Sequence, residues 1–277
     1  MNADLVFNSP ERVAALTAKN PFERMADGRP RVPDDLLERL RKVTNDEAWS
    51  VLERHNDYHY QFEGNWLNLH PDQVLVGRAM TAQFVPKRPD LHEAIDAAGA
   101  ERGLPPGKQN TWLIDSTQEG DVLIVDLFGK VRDGTMIGDN LGTALSARTK
   151  GGGLIVDGGI RDVLRVRDIP HLSVFARGMD PSAIYNVTLA SVNAPVRIGA
   201  ATVMPGDAVL GTSVGVTFIP PHLVEEVVTR SEDVRQRDVF GKQRLAEGRY
   251  TSGQIDVSVW AEPIEADYQE WLRALPR

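Results

Sequence analysis

Between Val74 and Pro220 the chain is cut into short runs of β-forming residues, and nearly every run is bounded by Gly, Pro, Asp or Asn. VLVGRAMTAQFV, DVLIVDLFG, GLIVDGG, LSVFARG, VRIGAATV and DAVLGTSVGVTFIP each have the composition and length of a strand. So many strands in one continuous segment require a compact central sheet or barrel. The flanks follow a different period. In PDDLLERLRKVTNDEAWSVLERH, Leu36, Leu37, Leu40 and Val43, then Ala48, Val51 and Leu52, fall at helical spacing behind a Pro33-Asp34 start signal. After Pro220 the chain returns to charged helix, VEEVVTRSEDVRQRDVF first and YQEWLRAL last. No low-complexity linker divides these parts, so the reading is a single domain over 1–277. It has a helical N-terminal extension (1–73), a strand-rich core (74–220) and C-terminal helices (221–277), arranged as α/β layers.

Composition narrows the function. With 277 residues, 42% of them hydrophobic, the chain can bury a sizeable core. No apolar run approaches the roughly 18–20 residues of a membrane span, and the start, MNADLVFNSPERV, lacks the basic and apolar regions of a signal peptide, so no membrane and a cytoplasmic location are expected. The absence of Cys removes disulfides, thiolate metal sites and cysteine nucleophiles. A net charge of −8 argues against nucleic acid as partner, while leaving room for a local basic patch.

The segment GTMIGDNLGTALSARTKGGGLIVDGGIRD reads as loop, helix, glycine turn, strand and loop. Gly138, Asp139 and Asn140 form a turn with a capping side chain, and Leu141, Ala144, Leu145 and Ala147 make a slim helical face. The first turn of that helix offers free N–H groups and the positive end of its dipole to a carboxylate or phosphate. If Arg161 folds back to the same place, its planar fork can grip a carboxylate at two points, and the neighbouring Asp162 is left to hold a hard cation. Together these features suit a small anionic keto acid. Two plainer readings stand beside this one: an exposed Arg161-Asp162 pair of little energetic weight, and glycines that only permit tight turns. His55 and His59 have the i, i+4 spacing of a zinc pair, but Asn56 stands where the catalytic Glu of such motifs belongs.

Two stretches, GDNLGTALSARTKGGGLIVDGGIRD and PVRIGAATVMPGDAVLGTSVGVTFIPP, resemble the RraA-like family that includes the 4-hydroxy-4-methyl-2-oxoglutarate aldolases. The resemblance spans roughly Val74 to Pro220 and is most specific at Asp157 to Asp162 and at Pro205 to Asp207. It implies a compact layered β/α fold of the swivelling type, assembled as homotrimers or hexamers with the active site between subunits. It further implies a divalent metal, magnesium or manganese, and cleavage of a 4-hydroxy-2-oxo acid or decarboxylation of oxaloacetate, both yielding pyruvate. Carried over by position, Arg161 binds the pyruvyl portion and stabilises its enolate, Asp162 anchors the hydrated metal, and Asp139 contacts metal-bound water or relays a proton. The amides of the Gly138, Asp139, Asn140 and Leu141 turn receive the substrate carboxylate. Asp238, with Glu225 and Glu226 close behind, is the acid a neighbouring subunit would contribute.

The chain departs from the family pattern at three places. Arg165 stands where the aldolases carry an acid, and Thr212 and Val214 replace two more acids near the last strand. Because the family also contains a protein that inhibits a ribonuclease by binding it, the alternative reading is a non-catalytic regulator. A menaquinone methyltransferase, a label attached to such sequences, lacks support: no glycine-rich nucleotide site follows a strand and opens a helix.

Overall fold

The computed structural model describes residues 5–275. The chain packs as two compact units, 1–227 and 228–277. In the first, helices α1 (Pro10–Leu16), α2 (Asp34–Leu40) and α3 (Asn45–Trp49) precede the sheet, and a π-helical turn over Ser50–His55 continues α3. Leu36, Leu37, Leu40, Val43, Ala48, Val51 and Leu52 are all buried, as their spacing predicts. The helix they share is broken at Thr44, whose hydroxyl accepts the Glu47 N–H while the Glu47 carboxylate accepts the Thr44 N–H, a capping box that starts α3.

Eleven strands follow: β1 (Phe62–Glu63), β2 (Leu67–Asn68), β3 (Leu75–Pro86), β4 (Asp121–Thr135), β5 (Gly153–Ile160), β6 (Ser173–Met179), β7 (Val187–Val192), β8 (Val196–Ile198), β9 (Ala201–Val203), β10 (Ala208–Gly211) and β11 (Val216–Ile219). Nine of them form one sheet in the order β1-β11-β10-β3-β4-β5-β6-β2, with β7 also pairing β3; β8 and β9 pair separately. Its centre, β3 to β6, is parallel, and the outer pairings are antiparallel. Between the parallel strands run α4 (Pro89–Glu101), α5 (Gln109–Ser116), α6 (Asp139–Thr149) and α7 (Val163–Arg167). The N-terminal extension, read as helical, also supplies the edge strands β1 and β2.

The parallel strands are apolar on both faces, as strands covered on both sides must be. Leu123, Val125, Leu154, Val156, Val174 and Ala176 join a core with Trp112 of α5 and Leu145 of α6. Their neighbours Val122, Ile124, Ile155 and Phe175 point the other way, into a second core closed by Val196, Ile198, Ala201 and Val203 of the β8–β9 pair. Each Val, Leu, Ile or Phe side chain so taken from water contributes about 1.5–3 kcal/mol. On α6 the expected apolar face shifts by a few positions: Leu145, Gly142 and Thr149 are buried and Ala147 is exposed.

The second unit holds most of α8 (Val224–Ala246), α9 (Ser252–Ile255) and α10 (Glu262–Ala274). Its own small core gathers Phe240, Trp260, Ile264 and Tyr268, and Asp267 there accepts both Nε and Nη2 of Arg244 at 2.9 Å.

Candidate functional site

The loop before α6 runs along the C-terminal end of β5, and backbone hydrogen bonds fasten the two. Met136 N–H donates to the Gly159 carbonyl at 2.9 Å, and Arg161 N–H to the Ile137 carbonyl at 3.0 Å. Gly138 thereby lies directly against the Arg161-Asp162 pair. A Cβ added at Gly138 would collide with Asp162 Oδ2 and stand 3.1 Å from Arg161 Nε. Asp162 takes a left-handed conformation, φ 53°, which turns the chain from β5 into α7 within two residues. Sequence-distant residues 138, 161 and 162 are thus brought together, beyond the carboxyl ends of the parallel strands, where α/β sheets keep their ligand sites. An open cavity of about 500 Å³ lies there, with Arg161, Asp162, Arg165, Met179 and Asp180 on its wall.

The electrostatics of the site are loosely tied. Arg161 Nε is 3.6 Å from Asp162 Oδ2, and both side chains are more than a third exposed. Asp139 is held by Arg165, Nη1 to Oδ2 at 3.2 Å, and this contact keeps its carboxyl below the usual carboxylate range. At neutral pH Asp139 is therefore an anion, and a proton resides on it only at acid pH. No side chain caps α6; the Asp139 carboxylate instead accepts the Asn140 N–H at 2.9 Å. The Asp139 carboxylate also draws on its own N–H, and among the described residues the amide of Leu141 has no acceptor. Of the donors expected for a carboxylate, Leu141 is thus free, and the amides of Asp139 and Asn140 are engaged by the Asp139 carboxylate.

The donor set bears on which metal fits. Among the described residues no three His, Cys, Asp or Glu side chains gather to hold an ion. Asp162 offers one open carboxylate, which suits a magnesium-like ion that keeps several waters and takes one or two carboxylates. It does not suit an ion that needs a full cage of protein ligands. Asp238 lies in the second unit, on α8, exposed and 3.4 Å from Lys242. Glu225 and Glu226 lie in the first turn of α8. His55 and His59 form no metal pair: His59 binds Glu53 at 2.9 Å and Asp57 at 2.6 Å, and these partners raise its pKa.

The remaining motif residues have structural work. Asp157 is buried, accepting Arg177 Nε at 2.6 Å, while Arg177 Nη2 reaches Glu63 at 2.9 Å and its guanidinium lies 3.8 Å over Trp66. Reading the sequence overlooks Arg177 and Glu63, because nothing in their local pattern joins residues so far apart in the chain. Thr212, in place of a family acid, donates its hydroxyl to Asn45 of α3, and Val214 is exposed. Gly151, Gly152 and Gly153 lie at the opposite end of β5 from Arg161. Gly152 and Gly153 press on the Asp121 and Ser173 carbonyls, so they admit neighbouring strands and not a ligand.

Comparison with known proteins places these features. The family model described as RraA-like, Aldolase/RraA, matches residues 47–218. A Halalkalibacterium halodurans protein named "Putative 4-hydroxy-4-methyl-2-oxoglutarate aldolase" is 31% identical over 126 residues, 45% of this chain and 58% of that one. Protein DlpA of Legionella pneumophila is 28% identical over 190 residues, 67% of this chain and 28% of that protein. The chain therefore spans less than two thirds of the length of either curated relative. Among solved structures, Streptomyces coelicolor RraAS2, described as an unusual member of the RNase ES inhibitor RraA protein family, superposes with a TM-score of 0.64. It is 26% identical, over 77% of this chain and 100% of that one.

Proposed function

The chain belongs to the RraA-like family, and on that premise we propose that it is a metal-dependent carbon–carbon lyase acting on a 4-hydroxy-2-oxo acid or a related oxo acid. The observation that carries the reading is the meeting of Gly138, Arg161 and Asp162 beside the unclaimed Leu141 amide at the start of α6. The Leu141 amide, at the positive end of the helix, receives the substrate carboxylate. Cleavage leaves an electron pair on the pyruvyl carbon, delocalised onto its oxygen. The Arg161 guanidinium, with donors in a fixed fork, stabilises the charge as it develops. Asp162 would hold a divalent ion, magnesium or manganese, which when bound supplies Lewis-acid stabilisation of that same charge. Asp139, kept ionised by Arg165, accepts a hydrogen bond more readily than it supplies a proton.

The site's rim carries Leu164 and Met179, 76% and 60% exposed, an apolar pair suited to cover by a second subunit. A homotrimer or hexamer with Asp238 donated across the contact belongs to this proposal. The regulator reading rests on Arg165, which sets a cation where the aldolases place an acid and claims Asp139 for itself.

The deciding experiment measures pyruvate release from oxaloacetate and from 4-hydroxy-4-methyl-2-oxoglutarate, with magnesium, with a chelator, and in Arg161→Ala. Metal-dependent release that disappears in the variant is expected. No release from either compound, by a folded protein that binds magnesium, would sink the lyase reading in favour of the regulator.

A further inference from the structure

The other end of the sheet holds a second cavity, of about 530 Å³, within the size range of small-molecule sites. Arg31, Arg41, Arg78 and Lys150 line it, opposed by the carboxylates of Asp34, Glu38 and Glu119. Four cations face three anions, so one positive charge in the cavity has no counterpart.

Arg78 is the anchor. It projects from β3, is only 3% exposed, and uses Nε to reach the Val32 carbonyl at 2.8 Å and Nη2 to reach Asp34. Its Nη1 has no acceptor among the described residues, and it lies against Gly120 on the cavity wall, 2.7 Å from where a Cβ would stand. This nitrogen opens to the cavity and is free to donate to an anion held there. Around it Arg41 is held by Glu38 at 3.0 Å and by the Val74 carbonyl at 2.9 Å, and the other two cations are weakly held. Arg31 is 3.7 Å from Asp34, and Lys150 pairs with Glu119 with both side chains about two-thirds exposed. Such exposed pairs are worth about 0–1 kcal/mol and give way readily to a stronger anion. Three carboxylates on the same wall would repel an ion that is anionic all round, but they accept hydroxyl donors.

We propose that this cavity binds a small phosphate monoester carrying free hydroxyls, its phosphate on Arg78, Arg31 and Lys150 and its hydroxyls on Glu38 and Glu119. Arg31, Asp34, Glu38 and Arg41 all come from the N-terminal extension, which thereby acquires a binding role apart from the site at Arg161. The inference stands whether or not the lyase reading does.

Calorimetric titration of the full chain with glycerol 3-phosphate, inorganic phosphate and glycerol tests it. Glycerol 3-phosphate is expected to bind more tightly than inorganic phosphate, and glycerol not at all. Arg31→Ala and Lys150→Ala, both at exposed side chains that leave folding intact, are expected to raise the Kd tenfold or more, while Arg161→Ala leaves it unchanged. Absence of binding, equal affinity for phosphate and its ester, or binding lost in Arg161→Ala instead would each overturn the proposal.

Discussion

Two Arg–Asp pairs occupy opposite ends of the same parallel strands, and only their surroundings distinguish them. At the start of β4, Arg29 grips Asp121 through two parallel hydrogen bonds of 2.8 and 2.9 Å, with both side chains wholly buried. Beyond the end of β5, Arg161 and Asp162 face solvent at 3.6 Å and share no such fork. The first pair has its valences filled by protein and can do nothing else. The second has donors and acceptors to spare, and a spare valence is what binding and catalysis require. Asp207 gives a third case. It sits in the same Gly-Asp turn as Asp121, each carboxylate accepting the N–H three residues earlier at 2.8 Å. Asp207, however, has no cation beside it among the described residues, and burial pushes its pKa up to about 7.

The largest effect should come from breaking the closed pair. Asp121→Ala leaves Arg29 charged and buried without its partner, and should cost on the order of 3–5 kcal/mol of stability, read as a lower urea midpoint. A loss no greater than that of an average surface substitution would erase the contrast between the two ends. Breaking the open pair should move activity instead. Arg161→Ala should lower kcat for pyruvate release by about 10²-fold or more while shifting stability by less than about 1 kcal/mol. Unfolding on the scale of Asp121→Ala would show that Arg161 is structural.

Asp207 sharpens the comparison through pH. The unfolded carboxyl releases its proton near pH 4, about its ordinary value, whereas the folded one keeps it to about pH 7. Between those values the folded state binds more protons, so stability falls as pH rises and levels off above 7. Asp207→Asn keeps the acceptor for Met204 and removes the titration. Between pH 5 and 7 the wild type should lose on the order of 2 kcal/mol relative to the variant. Parallel stability curves would place the Asp207 carboxylate in the ionised form throughout.

The smallest effect belongs to Arg165→Ala. The side chain is exposed, so the unfolding midpoint should stay where it is. Asp139 should return toward the ordinary carboxylate range, and the acid limb of the pH–rate profile should move to higher pH. An unmoved limb would mean that Asp139 does not bear on the reaction.

Local pattern carried much of this into view. The strand runs, the helical spacing of Leu36 through Leu52 and the turn before α6 all follow from short-range chemistry, as do the expectations for Gly138, Arg161 and Asp162. What stayed hidden depends on distance along the chain. The Glu63–Arg177–Asp157 cluster, the Asn45–Thr212 contact and the Arg29–Asp121 pair each join residues whose partnership only the folded sheet creates. The need for glycine at 152 and 153 stayed hidden for the same reason: their close neighbours are strands that arrive from elsewhere in the sequence.

Gly138 offers a use of another kind. Since the space its missing side chain would fill is occupied by Asp162 Oδ2, a single letter at this position sorts chains that share the fold. Those with glycine can keep the anion, the guanidinium and the helix start in register. Those with any larger residue must turn the Asp162 carboxylate away from this position. A reader scanning genomes for relatives that keep this arrangement could begin there, before any protein is purified.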